Sequence, residues 1–89
     1  MVVVQSDRFT RSRLNTVIVV AVTSNLRLGG MPGNVLLKKE ESGLPADSVA
    51  NVTQVATVDK GDLTAMVGSL SPSVWQEINA GLRLVLDLT

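Results

Sequence analysis

The chain has 89 residues, 45% of them hydrophobic, with Phe9 and Trp75 its only aromatics and no cysteine or histidine. That length allows one small domain with an aliphatic core, and the missing residue types exclude disulfides, a histidine general base and a zinc centre. The zero formal charge hides a split, +5 over residues 1–39 and −5 over residues 40–89, so the first half suits a polyanion.

Residues 1–4 (MVVV) are apolar and β-branched and predict a strand that begins without a lead-in. Residues 5–15 are polar, carry Arg8, Arg11 and Arg13 and show no apolar periodicity, which predicts a mobile loop. Residues 16–23 (TVIVVAVT) form a β-branched run without polar alternation. That pattern predicts a strand buried on both faces. The longest apolar stretch, residues 17–22, is far shorter than the ~20 residues of a membrane span. The start lacks the pattern of a signal peptide, so the cytoplasm is the expected location.

Residues 25–33 hold Gly29-Gly30 and Pro32-Gly33 and predict a loop. Residues 34–38 predict a short strand, and the charged residues 39–47 a solvated segment broken by Gly43 and Pro45. Residues 48–58 alternate, with Val49, Asn51, Thr53, Val55 and Thr57 on one face. Residues 59–62 (DKGD) predict a turn, and residues 63–70 another short strand. Ser71-Pro72 reads as a helix N-cap followed by proline in the first turn. Val74, Ile78, Leu82 and Val85 then make an apolar helix stripe, which Trp75, Leu86 and Leu88 widen. Gly81 inside that helix costs about 1 kcal/mol relative to alanine, and close approach of a neighbour is a reason to keep it. Several short strands and a terminal helix predict a mainly β fold with α, a compact barrel-like sheet capped by a helix.

Several segments together resemble the MazF/PemK-type toxins. A Val/Ile-rich strand ends in Thr23-Ser24-Asn25, and Gln5-Ser6-Asp7 follows a short valine strand as the family's Gln-Asn-Asp does. Pro32-Gly33-Asn34-Val35, the run from Gly43 to Val49 (GLPADSV) and the run from Gln54 to Lys60 (QVATVDK) follow in order and spacing, then the Leu-rich C-terminal helix. The resemblance covers nearly the whole of residues 1–89 as one domain. It implies a small SH3-like β-barrel of the MazF/PemK/CcdB type, a homodimer, and a cognate antitoxin that holds the toxin inactive. It also implies cleavage of single-stranded RNA at short recognition sequences, without metal or other cofactor, by attack of the substrate's own 2′-OH.

Such a reaction needs a group to take the 2′-OH proton, one to protonate the leaving oxygen, and one to offset charge on the phosphate. The family's catalytic threonine maps onto Thr23. The plainer reading of Thr23 is a β-branched residue closing a strand. The family's arginine sits in an Arg-Pro pair just ahead of the valine strand and has no counterpart here. The family's first strand and its Gly-rich loop would also precede Met1. Met1 is therefore expected to be an internal start of a longer protein; the other reading is a truncated relative with impaired cleavage that still dimerises and binds antitoxin or RNA. An in-frame upstream Arg-Pro distinguishes the two.

Ser24, Asn25 and Gln54 are candidate base or sugar contacts, because such side chains read the edges of unstacked bases. Turn chemistry for the first two and a satisfied strand polar group for Gln54 are the alternatives. Arg8, Arg11, Arg13 and Arg27 are candidate phosphate contacts, or simply a solvated surface. Asp47, Asp59 and Asp62 read as turn acids, and Trp75 with Ile78 and Leu82 as helix packing. A generic single-strand binder would stack bases on aromatics, and two aromatic residues are too few for that.

Overall fold

Seven of the eight residues in Thr16–Thr23 are β-branched, and they form the strand around which the fold is organised. The computed structural model describes residues 1–5, 8, 11–62 and 70–88. In chain order these give β1 (Val2–Val3), β2 (Thr16–Thr23), β3 (Val35–Leu37), α1 (Lys39–Ser42), β4 (Ser48–Asp59) and α2 (Pro72–Leu86), with 3-10 turns at Leu26–Gly30 and Lys60–Asp62. The four strands make one antiparallel sheet in the order β1-β2-β4-β3. It is curled into a half-barrel. The strand expected over 63–70 falls almost entirely on residues outside the described set.

The curl has an identifiable cause in β4. Thr16 pairs with Asp59 and the ladder runs regularly to Val20 opposite Val55; the next residue, Ala21, then faces Asn51. Three residues of β4, Val52, Thr53 and Gln54, are therefore passed over without a partner on β2. An excess of residues on one strand bends that strand and increases its twist. Sequence alternation predicts Val49, Asn51, Thr53, Val55 and Thr57 on one face, and the excursion overturns this: Val49 and Asn51 face Thr23 and Ala21, whereas Val55 and Thr57 face Val20 and Ile18 on the opposite side of β2, because an odd number of extra residues shifts the phase.

β2 is buried on one face at Val17 and Val19 and on the other at Val20, but the expected burial along both faces is incomplete, because Ile18, on the face of Val20, is exposed. Val17, Val19 and Val20 are all buried. Val20 joins Val35, Leu37, Ala50, Val52, Val74 and Ile78 in the main core, with Val2, Val4, Val22, Leu70, Trp75 and Leu82 packed around it. Each buried valine or isoleucine contributes about 1.5–3 kcal/mol relative to exposure. On the other face the Leu26–Gly30 turn lies against the sheet, and a Cβ on Gly29 would stand 3.6 Å from a methyl of Val49.

α2 starts where the sequence predicts. The Ser71 hydroxyl accepts from the Val74 N–H at 3.4 Å, and Pro72 opens the first turn. Val74, Ile78 and Gly81 are its buried residues. The expected stripe loses burial at Val85, and the widening by Leu86 and Leu88 is not realised: all three are exposed, in or just past the last turn of the helix. The expected solvated segment after β3 instead contains a short helix, α1, whose first N–H groups include Lys39 N–H bonded to the Asp47 carboxylate at 2.9 Å. Asp47 thus serves backbone structure, as its place beside Pro45 suggests.

Candidate functional site

Thr23 closes β2 opposite Val49 and is half-buried. Its hydroxyl oxygen accepts a hydrogen bond from the Asn25 N–H at 3.1 Å. The bond engages one lone pair of the oxygen, and the hydroxyl keeps its own proton to donate. Asn25 is itself engaged: its side-chain oxygen accepts from the Arg27 N–H at 3.2 Å and caps the Leu26–Gly30 turn. The expected turn chemistry at Ser24-Asn25 is therefore present for Asn25, while Ser24 is exposed at the corner. Arg27 lies in the same turn, exposed, four residues from Thr23.

The face of β2 that carries Thr23 continues onto β4. Val49, opposite Thr23, and Asn51, opposite Ala21, share one face of β4. Asn51 is buried, and the Thr53 hydroxyl donates to its side-chain oxygen at 3.0 Å. Gln54, exposed, follows in the stretch of β4 that has no β2 partner. Thr23, Asn51 and the 52–54 excursion thus occupy the same end of the sheet. Nothing in the sequence singles out Asn51 and Thr53; their alternation with Val49 predicts a shared face, and the pairing of Val49 with Thr23 is what turns that face toward the site.

The arginines divide. Arg11 and Arg13 are exposed and stand in the stretch that leads into Thr16. That stretch is held at the far end of β2, where the Lys60 N–H donates to the Asn15 carbonyl at 2.8 Å and the Lys60 ammonium to the Ser12 carbonyl at 3.1 Å. Residues 12 and 15 are thus fixed by hydrogen bonds where the sequence predicts a mobile loop. Seven residue steps at ~3.3 Å separate Thr16 from Thr23, about 23 Å. Arg8 is exposed within the same connection. So Arg27 stands beside Thr23 in the chain, and Arg11 and Arg13 stand a strand's length away.

The register of β1 fixes which residues of β2 it faces. Val3 lies opposite Val19 and Val2 opposite Val20. Directly opposed residues of antiparallel strands carry side chains on the same face, ~5 Å apart at Cβ. Among the described residues, no three His, Cys, Asp or Glu side chains converge in a way that would hold a metal ion, and no helix is long and apolar enough to cross a membrane.

A family profile described as "PemK-like, MazF-like toxin of type II toxin-antitoxin system" matches residues 1–86. The chain belongs to this PemK/MazF-like toxin family. It is 50% identical over 88 residues to the endoribonuclease MazF2 of Mycobacterium bovis, covering 99% of this chain and 77% of that protein. The fold matches the solved Mycobacterium tuberculosis toxin MazF-mt6 with a TM-score of 0.86 at 23% identity, over 99% of this chain and 85% of that one. It also matches a mycobacterial endoribonuclease solved in complex with its cognate antitoxin, with a TM-score of 0.81, over 98% of this chain and 79% of that one. Within the PemK/MazF-like fold, the half-barrel presents the end of β2, the Leu26–Gly30 turn and the β4 excursion together. That is the surface on which the expected site residues Thr23, Ser24, Asn25, Arg27 and Gln54 are distributed.

Proposed function

We propose that this chain is an endoribonuclease toxin of a type II toxin–antitoxin pair, cutting single-stranded messenger RNA at short recognition sequences without a metal ion. Family membership and the 50% identity to a protein named an endoribonuclease support this reading. The observation that carries it in the structure is the Thr23 hydroxyl, anchored by the Asn25 N–H at the rigid end of a buried strand with its own proton available. In the proposed reaction the substrate 2′-oxygen attacks the adjacent phosphorus and loses its proton. The bond from phosphorus to the 5′-oxygen breaks, and that oxygen takes up a proton. The products are a 2′,3′-cyclic phosphate and a 5′-hydroxyl end.

Thr23 is a poor base, because a hydroxyl loses its proton only far above neutral pH. Its role is to donate to a phosphate oxygen on which negative charge grows, a contribution of about 2.7–4 kcal/mol for a fixed donor. A cation beside the Thr23 hydroxyl would offset the same charge and assist proton transfer. Ser24, Asn25 and Gln54 are proposed to contact bases or sugars, and Arg27 a phosphate. Arg8, Arg11 and Arg13 would hold phosphates further along, so the strand-length separation favours an extended single strand over a mononucleotide. A cognate antitoxin is the proposed protein partner, in keeping with the solved relative bound to its own. A homodimer in the cytoplasm is the proposed working form.

The test is incubation of the purified chain, and of a version extended upstream, with a pool of single-stranded RNA in EDTA. Fragments ending in a 2′,3′-cyclic phosphate are the expected outcome. Binding without cleavage by both versions would reduce the reading to an RNA-binding module, and cleavage that demands added metal would overturn the mechanism.

A further inference from the structure

We propose that Asn34 is a positioning residue for the Thr23 hydroxyl, acting through an unbroken chain of hydrogen bonds from the β4 excursion; the proposal rests on the ribonuclease reading above. The Asn34 side chain uses both ends of its amide. Its oxygen accepts from the Val52 N–H at 3.0 Å, and its nitrogen donates to the Leu28 carbonyl at 2.9 Å. The backbone groups fix which end faces which, since an N–H only donates and a carbonyl only accepts. The β3 ladder ends with Val35 opposite Ala50, so the buried Val52 N–H lies past the end of that ladder and is satisfied by this side chain in place of a strand.

The chain continues from Leu28. The Leu28 N–H donates to the Asn25 carbonyl at 3.2 Å, and the Asn25 N–H donates to the Thr23 hydroxyl at 3.1 Å. The Leu28 carbonyl also accepts from the Met31 N–H at 3.1 Å, so both its lone pairs are committed. One side chain therefore ties together the two segments that carry the candidate site: the corner holding Thr23, Ser24 and Asn25, and the excursion holding Thr53 and Gln54. Asn34 is half-buried and reaches both segments from the opposite edge of the sheet, just before β3. Nothing in its position requires it to touch substrate. A donor must sit within a fraction of an ångström of its place to favour the transition state, and this bridge supplies that constraint.

Asn34→Asp keeps the acceptor for Val52 and removes the donor to Leu28, so it separates the two halves of the bridge. The experiment measures single-turnover cleavage of a single-stranded RNA oligonucleotide by the unaltered protein, Asn34→Asp, Thr23→Ala and the double variant, with amide hydrogen exchange on each. Expected are a folded Asn34→Asp protein, a cleavage rate constant about tenfold or more lower with RNA affinity within about threefold, faster exchange at Asn25, and retained protection at Val52. In the Thr23→Ala background Asn34→Asp is expected to cost nothing further, because it acts through that hydroxyl. Additive losses, or an Asn34→Asp enzyme with unchanged rate, overturn the proposal. So does rapid exchange of the Val52 amide in the unaltered protein, a result independent of any variant's folding. Unaltered protein that leaves RNA intact in both its forms overturns the ribonuclease reading instead, while the exchange data still decide whether the bridge orders the Thr23 corner.

Discussion

The backbone carbonyl of Gly33 lies directly against the α-carbon of Gly81, so that a Cβ at Gly81 would collide with it. This contact docks α2 onto the loop that precedes β3. Gly33 has φ +86°, a conformation side chains rarely adopt, and a Cβ there would stand 3.1 Å from a Val52 methyl and 3.3 Å from the Gly81 carbonyl. The two glycines are a matched pair, and Asn34, which bridges to Val52 and Leu28, is the next residue along.

Gly81→Ala is therefore expected to destabilise the protein in spite of alanine's better helix propensity. The propensity gain is about 1 kcal/mol, but the atom in the way is backbone, which does not swing aside. Forcing α2 off Gly33 is expected to leave a net loss of about 2 kcal/mol. Urea titration followed by circular dichroism measures it. A variant as stable as the parent would show that the contact relaxes freely.

The Ser71 cap offers a second stability test away from the site. Ser71→Ala removes the acceptor for the Val74 N–H and is expected to cost about 1 kcal/mol. Since α2 covers the core face of the sheet and not the face of Thr23, cleavage under conditions where both proteins are folded should be unchanged. Loss of activity beyond the loss of folded protein would argue that α2 communicates with the site.

Thr23→Ala is expected to lower the cleavage rate by about 100-fold or more, the effect of removing one fixed donor to a phosphate oxygen. Thr23→Ser keeps the hydroxyl and its bond to Asn25 but loses the methyl that restricts rotation. It should retain part of the activity. Rate constants measured at saturating RNA distinguish these variants; equal activity of all three proteins would remove Thr23 from the mechanism.

The placement of the arginines separates binding from chemistry. Arg27 follows Thr23 by four residues, whereas Arg11 and Arg13 stand at the other end of β2. Neutralising a phosphate contact lowers the slope of log K against log salt by ~0.7 for a single strand. Arg27→Ala should reduce both this slope and the cleavage rate. Arg11→Ala and Arg13→Ala should reduce the slope for RNAs long enough to reach them and leave short substrates unaffected. Titrations at several salt concentrations with short and long oligonucleotides give the comparison.

What the sequence made legible depended on how local its causes were. β2 was readable because an uninterrupted β-branched run has few alternatives to a doubly buried strand, and α2 because Ser71-Pro72 announces its start. Gly81 was readable as a helix glycine with a packing reason, but Gly33 as its counterpart was not, since nothing in either segment points to the other. The β4 excursion was hidden for a similar reason: a ladder is interrupted by its partner strand, and Val52 to Gln54 look like ordinary strand residues. α1 has only four residues and takes its N-terminal acceptor from Asp47, eight residues beyond Lys39. At the site, Thr23 and its neighbours are legible through resemblance, whereas Asn34 stands in the sequence only as part of a Pro-Gly-Asn-Val motif. Its role depends on two backbone groups, one 6 and one 18 residues away.

The β1 register yields a direct test of whether a cross-strand cation assists Thr23. Continuing the pairing of Val3 with Val19 and Val2 with Val20 sets the second position before Met1 opposite Thr23. If the reaction uses a cation beside the Thr23 hydroxyl, an arginine at that position would share its face, ~5 Å away at Cβ. An arginine one position nearer Met1 would point to the other face, because side chains alternate along a strand. Two versions of the protein extended upstream of Met1, differing only in which of these positions carries arginine and which carries valine, should therefore differ sharply in cleavage. The expected order is high activity with arginine opposite Thr23 and low activity with it one residue out of phase, at equal stability in thermal unfolding. Equal cleavage by the two would mean that the charge acts at a distance or not at all, and that Thr23 has no cross-strand partner in catalysis.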